Sequence, residues 1–218
     1  MWYRSAGLPV GTKVGSVDTG CQVWGLVYQH GTGGKLVSSQ QLQRRVSPGL
    51  FSQKEVEGRI TRLRQLMEGE GLAACLFTSI HNIIYYTGGF VYCAFGRPYG
   101  LLVTPEKHVT ISALVDAGQP WRRSPHDNIV YTDWQRENYF RAVVEELGEV
   151  RGPLGVEYDH LTLHASRTLQ HHLPHSNKLV DVSSGTMKMR MIKSHEEIAV
   201  IKNCAATADR GWLGVCCS

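Results

Sequence analysis

The chain predicts a mixed α/β domain, a β-sheet of mixed direction with helices packed on its faces. Three observations predict it. Helix-period and strand-like apolar patterns alternate from residue 51 onward. Two Ser-x-x-Glu capping boxes, Ser52/Glu55 and Ser194/Glu197, each open a helical run. Short apolar runs bounded by Gly, Pro, Asn or Ser separate the helices.

Taken in order, "SQKEVEGRITRLRQLMEGEG" is the first helix. Ser52 and Glu55 are spaced to satisfy each other's backbone N–H, and Val56, Ile60, Leu63 and Met67 recur on one face. Gly69 and Gly71 end it, and "LAACLFT" is a buried strand in which Cys75 fills the core. "GLLVT" and "HVTISAL" flank "PEK" as a hairpin, and "NIVYT" is a short strand. "RENYFRAVVEELGEV" is a helix with Phe140, Val143, Val144 and Leu147 on its apolar face. "LGVEY", "LTLHASRTLQHHL" and "KLVDV" follow as strand, helix and strand. Last, Ser194 caps a helix carrying Ile198, Ile201, Cys204 and Ala205. This helix opens something further, yet "GWLGVCCS" ends the chain within a few residues. The expectation is a chain cut short.

The first 50 residues read differently. They hold nine of the 23 glycines and no sustained period, so a flexible, disordered extension is expected over 1–50. They also carry the whole net charge of +4: five basic groups against Asp18 alone. The remaining 168 residues are balanced, which argues against a phosphate-tracking surface and hence against nucleic-acid binding. "GGK" at 33–35 is no phosphate loop, because Gln29 stands where the earlier glycine is required. Six cysteines without metal or disulfide spacing point to a reduced, cytoplasmic setting. A mitochondrial transit peptide is the alternative for the acid-poor lead. No apolar run reaches the length of a membrane helix.

The blocks "LFTSIHNIIYYTGGFVYCAFGRPYGLLV", "ISALVDAGQPWRRSPHDNIVYTDWQRENYFRAV", "GVEYDH" and "MRMIKSHEEIAVIK" closely resemble the creatinase family, from about residue 52 to about 209. "IKSHEEIAVIK" alone is similar to the wider creatinase, prolidase and aminopeptidase P superfamily. The resemblance implies a creatinase-type N-terminal domain with a ribonuclease H-like sheet over 51–187. It implies a linker and the first helix of an absent pita-bread catalytic domain over 188–218. It further implies a hydrolase that cleaves creatine to sarcosine and urea, without metal or other cofactor. Such an enzyme is a homodimer whose N-terminal domain reaches into the neighbouring active site.

Two site residues follow from the resemblance. Phe95 would pack on the apolar part of creatine, and Arg97 would pair with its carboxylate. Arginine's planar fork suits a carboxylate, and Gly96 and Gly100 allow close backbone approach. No catalytic residue and no metal ligand are assigned. The acid–base histidine and the guanidinium-binding carboxylates belong to the domain that would begin near Met191, so the chain alone is expected to be inactive. An Xaa-Pro peptidase, an ectoine-type hydrolase, and a non-catalytic dimerisation or regulatory module are the alternatives.

Other residues have plainer readings. His81 in "SIHNIIYY" is expected to shape a turn by local hydrogen bonding. His171, His172 and His175 do not make a metal set, since Pro174 interrupts the helix before His175. Trp121, Arg122 and Arg123 read equally as an anion site or as a loop-to-sheet joint. Asp127, Asp133, Glu157 and Asp159 lack the spacing of a metal set. Trp134 and Tyr139 read as core or interface aromatics.

Overall fold

A computed structural model describes residues 35–36, 50–89, 97–116, 126–132, 135, 137–173 and 178–216. The expected extension over 1–50 lies outside these, apart from Leu50 and the short strand β1 (Lys35–Leu36). The remaining elements are α1 (Gln53–Gly69), β2 (Ala74–Phe77), α2 (Ile80–Thr87), β3 (Gly100–Val103), β4 (His108–Ala113) and β5 (Asp127–Tyr131). They continue with α3 (Asn138–Leu147), β6 (Leu154–Val156), α4 (Leu163–His172), β7 (Leu179–Asp181), α5 (Ser183–Met191) and α6 (His195–Cys216).

The seven strands form one mixed sheet in the order β1-β5-β4-β3-β2-β6-β7. β3 runs antiparallel to both β2 and β4, whereas β2, β6 and β7 are mutually parallel, as are β4 and β5. The central strands are buried on both faces, so their side chains divide between two cores. Cys75, Phe77, Leu101 and Val103 join Ile60, Leu63 and Met67 of α1 and Ile83 and Tyr86 of α2 on one side. Ala74, Leu76 and Leu102 join Tyr139, Phe140 and Val143 of α3 and Leu169 of α4 on the other. The expected fold class is thus present, with the predicted hairpin in register Gly100↔Ile111 to Val103↔His108.

Three local expectations need correction. The capping box at Ser52 is only half formed. Its hydroxyl accepts from Glu55 N–H at 3.2 Å, but the Glu55 carboxylate turns to Arg59, 3.0 Å away. Glu196 replaces it, accepting the Ser52 backbone N–H at 2.8 Å and its hydroxyl at 2.6 Å. The second box does close in both directions, through Ser194 N–H to Glu197 and Glu197 N–H to Ser194 Oγ.

His81 shapes no turn; it is an exposed residue of α2, a helix opened by the Ser79 hydroxyl and ended by Gly88 in a left-handed conformation. α5 is also additional. Gly185 lets it approach α1, since a Cβ there would lie 2.9 Å from Leu66 Cδ2.

Candidate functional site

Arg97 lies just before β3, at the end of the sheet where β2 and β6 terminate. Two tyrosine hydroxyls fix the backbone that carries it. Tyr131 of β5 donates to Pro98 O at 2.8 Å, and Tyr139 of α3 donates to Tyr99 O at 3.2 Å. The Tyr99 hydroxyl in turn donates to Asp116. Gly100 is required for this arrangement, because a Cβ there would meet the Tyr139 hydroxyl at 2.5 Å. Both tyrosine rings are buried, and they meet edge to face at 5.6 Å.

Arg97 itself is exposed. It stands at the rim of a pocket of about 250 Å³. Leu76, Phe140, Leu161 and Ala165 supply apolar wall, and Thr78, His160 and Thr162 supply polar edge. Thr78 Oγ1 and His160 Nδ1 are 2.9 Å apart and hydrogen-bonded. The pocket opens outside the carboxyl ends of β2 and β6, which is where open α/β sheets place ligands.

The corner beneath is held by Glu157, which is buried. Its carboxylate accepts from Thr78 N–H at 2.7 Å, Ser79 N–H at 2.8 Å and Asn82 Nδ2 at 2.6 Å, as well as from the Ser79 hydroxyl. A carboxylate at the start of α2 is stabilised by the free N–H groups and by the helix dipole. The sequence sets Glu157 aside as lacking the spacing of a metal ligand and assigns it no other role. Its true partners lie some 75 residues earlier, so no local pattern marks it.

Of the two predicted site residues, Arg97 is exposed and lines the pocket, and Phe95 lies outside the described residues. So do His175, Trp121, Arg122, Arg123, Asp133 and Trp134. Tyr139 is core, as expected, and also anchors the Arg97 loop. His171 and His172 stack edge to face at 5.3 Å, with His172 4.0 Å from Glu137. Among the described residues no three His, Cys, Asp or Glu side chains gather as a metal set.

A mixed sheet in this strand order with helices on both faces belongs to a recognised class. Residues 59–192 match the Creatinase/Prolidase N-terminal domain, and the chain belongs to that family. Its similarity to one member is much greater. It is 52% identical over 168 residues to a creatinase from Bacillus sp. (strain B-0618), covering 76% of this chain and 40% of that protein's length. Among solved structures, an Xaa-Pro dipeptidase from Bacillus anthracis superposes with a TM-score of 0.62 at 20% identity, over 73% of this chain and 42% of that one. A proline dipeptidase from Streptococcus pneumoniae TIGR4 gives 0.56 at 18% identity, over 62% of this chain and 98% of that one. These structures establish a shared fold.

Proposed function

We propose that this domain serves a creatine-hydrolysing enzyme by positioning the substrate, with Arg97 gripping the carboxylate and Phe95 covering the apolar part. The observation that carries the reading is an exposed arginine lining the pocket, with the backbone that follows it held by Tyr131 and Tyr139. Backbone held at Pro98 and Tyr99 limits where the guanidinium can reach, and a bidentate fork fixes the orientation of a carboxylate. The 52% identity to a creatinase favours creatine over a peptide.

The acid–base step belongs, in this reading, to the remainder of a protein of creatinase length. The domain then acts across a homodimer, its Arg97 reaching substrate in the neighbouring subunit. The chain alone binds but does not turn over creatine.

The test is a chimera in which residues 52–209 replace the matching segment of the Bacillus creatinase. It should release urea from creatine, and Arg97→Ala should lower kcat/KM by about tenfold or more, chiefly through KM. A chimera whose creatine turnover ignores Arg97→Ala removes the proposal. Urea release by the unfused chain would contradict its division of labour.

A further inference from the structure

The two sides of the sheet are finished in different ways. β7 closes its own edge. Lys178 O and the Val182 N–H face β6, so by alternation Leu179 and Asp181 turn their backbone groups outward. There Leu179 O accepts from the Tyr158 hydroxyl at 2.9 Å. β7 is three residues long and ends on Asp181, whose carboxylate accepts from Tyr158 N–H at 3.2 Å and Ser183 N–H at 3.0 Å. Shortness, charge and an occupied carbonyl are guards that keep an edge strand from pairing with another chain.

β5 is longer, at five residues, and its one charge is at the first of them, Asp127. Its inner side is fully engaged. Asp127 to Tyr131 pair in parallel with Val109 to Ala113, and the Asn128 side chain hydrogen-bonds Thr110 Oγ1 at 2.9 Å and Ser112 Oγ at 3.1 Å. Asn128, Ile129, Val130 and Tyr131 are uncharged and mostly strand-forming, so the outer side is a template for one more strand. Among the described residues only β1 lies there, antiparallel, with Lys35 opposite Tyr131 and Leu36 opposite Val130.

We propose that β5 is a strand-accepting edge whose occupant is the chain's own Lys35–Leu36 segment, and that this segment keeps two copies from joining edge to edge at β5. A second β5 across a two-fold axis would continue the sheet in antiparallel pairing, using the same outward backbone groups. Tethering holds the segment at an effective concentration that a free copy in dilute solution does not reach.

The tests use the full chain carrying Ile201→Glu, so that association through α6 does not enter. This parent should sediment as a monomer. Lys35→Pro with Leu36→Pro removes both N–H groups of β1, one of which faces β5 in any alternating strand. The variant should dimerise with a Kd about tenfold lower or more, equivalent to one or two backbone hydrogen bonds released to a second copy, as read by analytical ultracentrifugation. Amide exchange along β5 should quicken in the dilute variant and slow as it dimerises. Leu36→Cys with Val130→Cys tests the register. Mild oxidation should give an intrachain disulfide, located by peptide mass mapping, in about tenfold or greater yield than Leu36→Cys with Ile129→Cys, which is one position out of register and on the other face.

An unchanged Kd together with unchanged exchange in the proline variant overturns the proposal. So does equal yield from the two cysteine pairs, or an interchain link in place of the intrachain one. If the proline variant unfolds, Lys35→Gly with Leu36→Gly, which weakens β1 while keeping its N–H groups, takes its place with the same outcomes.

Discussion

Glu157 sits at the end of β6 and draws in the backbone of Thr78 and Ser79 and the side chain of Asn82. Replacing it by Gln turns an acceptor-only group into one that presents two N–H donors to other donors. Glu157→Gln should cost about 2–3 kcal/mol in urea denaturation, with faster amide exchange through α2. Stability equal to the parent would show that the cap is dispensable.

His108 gives a pH dependence. Burial and the neighbouring Arg64 guanidinium, 3.3 Å from its Nδ1, lower its pKa, against weaker opposing fields from Asp127 and Glu57. The ring of His126 packs on it edge to face at 4.1 Å. The unfolded chain then binds the proton more readily than the folded one. Stability is therefore full above the ordinary histidine pKa and falls as pH drops through it toward the lowered value. Denaturation midpoints should decline between about pH 7 and pH 5, and His108→Gln should flatten that decline. A parent and variant with parallel pH profiles would locate acid sensitivity elsewhere.

At the scale of elements, the two ends of the described domain are tied by one buried cation. Arg59 of α1 is 1% exposed, donates to Tyr85 O at 2.7 Å, and meets Glu55 at 3.0 Å and Glu197 at 3.2 Å. Its guanidinium also stacks over the Phe51 and Tyr85 rings. The "HEE" of the superfamily-like motif thus has a structural task here: Glu196 caps α1 and Glu197 neutralises Arg59. Glu197→Gln should loosen both helix starts together, read as faster hydrogen exchange in the first turns of α1 and α6. Exchange that changes in α6 alone would show the two ends to be uncoupled.

The same scale shows where sequence reading fails and why. α1 and α3 were legible because four apolar residues at helical spacing mark each one. α2 was not. "IHNIIYYT" is eight residues rich in Ile and Tyr, a composition as suited to a strand. Its helical state depends on Ser79 and Gly88 at its ends and on Glu157 from far along the chain. α5 contains Gly185 and little periodicity, and it exists by packing on Leu66 of α1 and receiving the hydroxyls of Tyr85 and Tyr86 at Met189. Gly155 belongs to this group as well. A Cβ there would press on Cys75 Sγ and Val182 Cγ1 at 2.7 Å each, so Gly155→Ala should destabilise by about 1–3 kcal/mol.

For the molecule as a whole, α6 is packed at its start, through Glu196 and Glu197, and exposed from Ile201 to Arg210. Ile198 and Ile201 are 41% and 52% accessible and Trp212 is 71%. Such a stripe favours association. Light scattering on the chain at rising concentration should show reversible self-association, suppressed by Ile201→Glu. A clean monomer with α6 ordered would contradict this. None of the described helices is long and apolar enough to cross a membrane. The match spans 40% of the length of the creatinase described above.

The sequence by itself determined the order of most helices and strands, the mixed sheet and the family. These follow from periodicity, turn chemistry and long shared blocks, all of which are local in the chain. Only the tertiary structure decided that Tyr131 and Tyr139 pin the Arg97 backbone, that Glu157 closes the corner beneath it, and that an apolar cavity lies behind. Those contacts join residues between about 33 and 79 positions apart. Hydrogen bonds across such distances arise from how the strands are ordered in the sheet, which no window of neighbouring residues records.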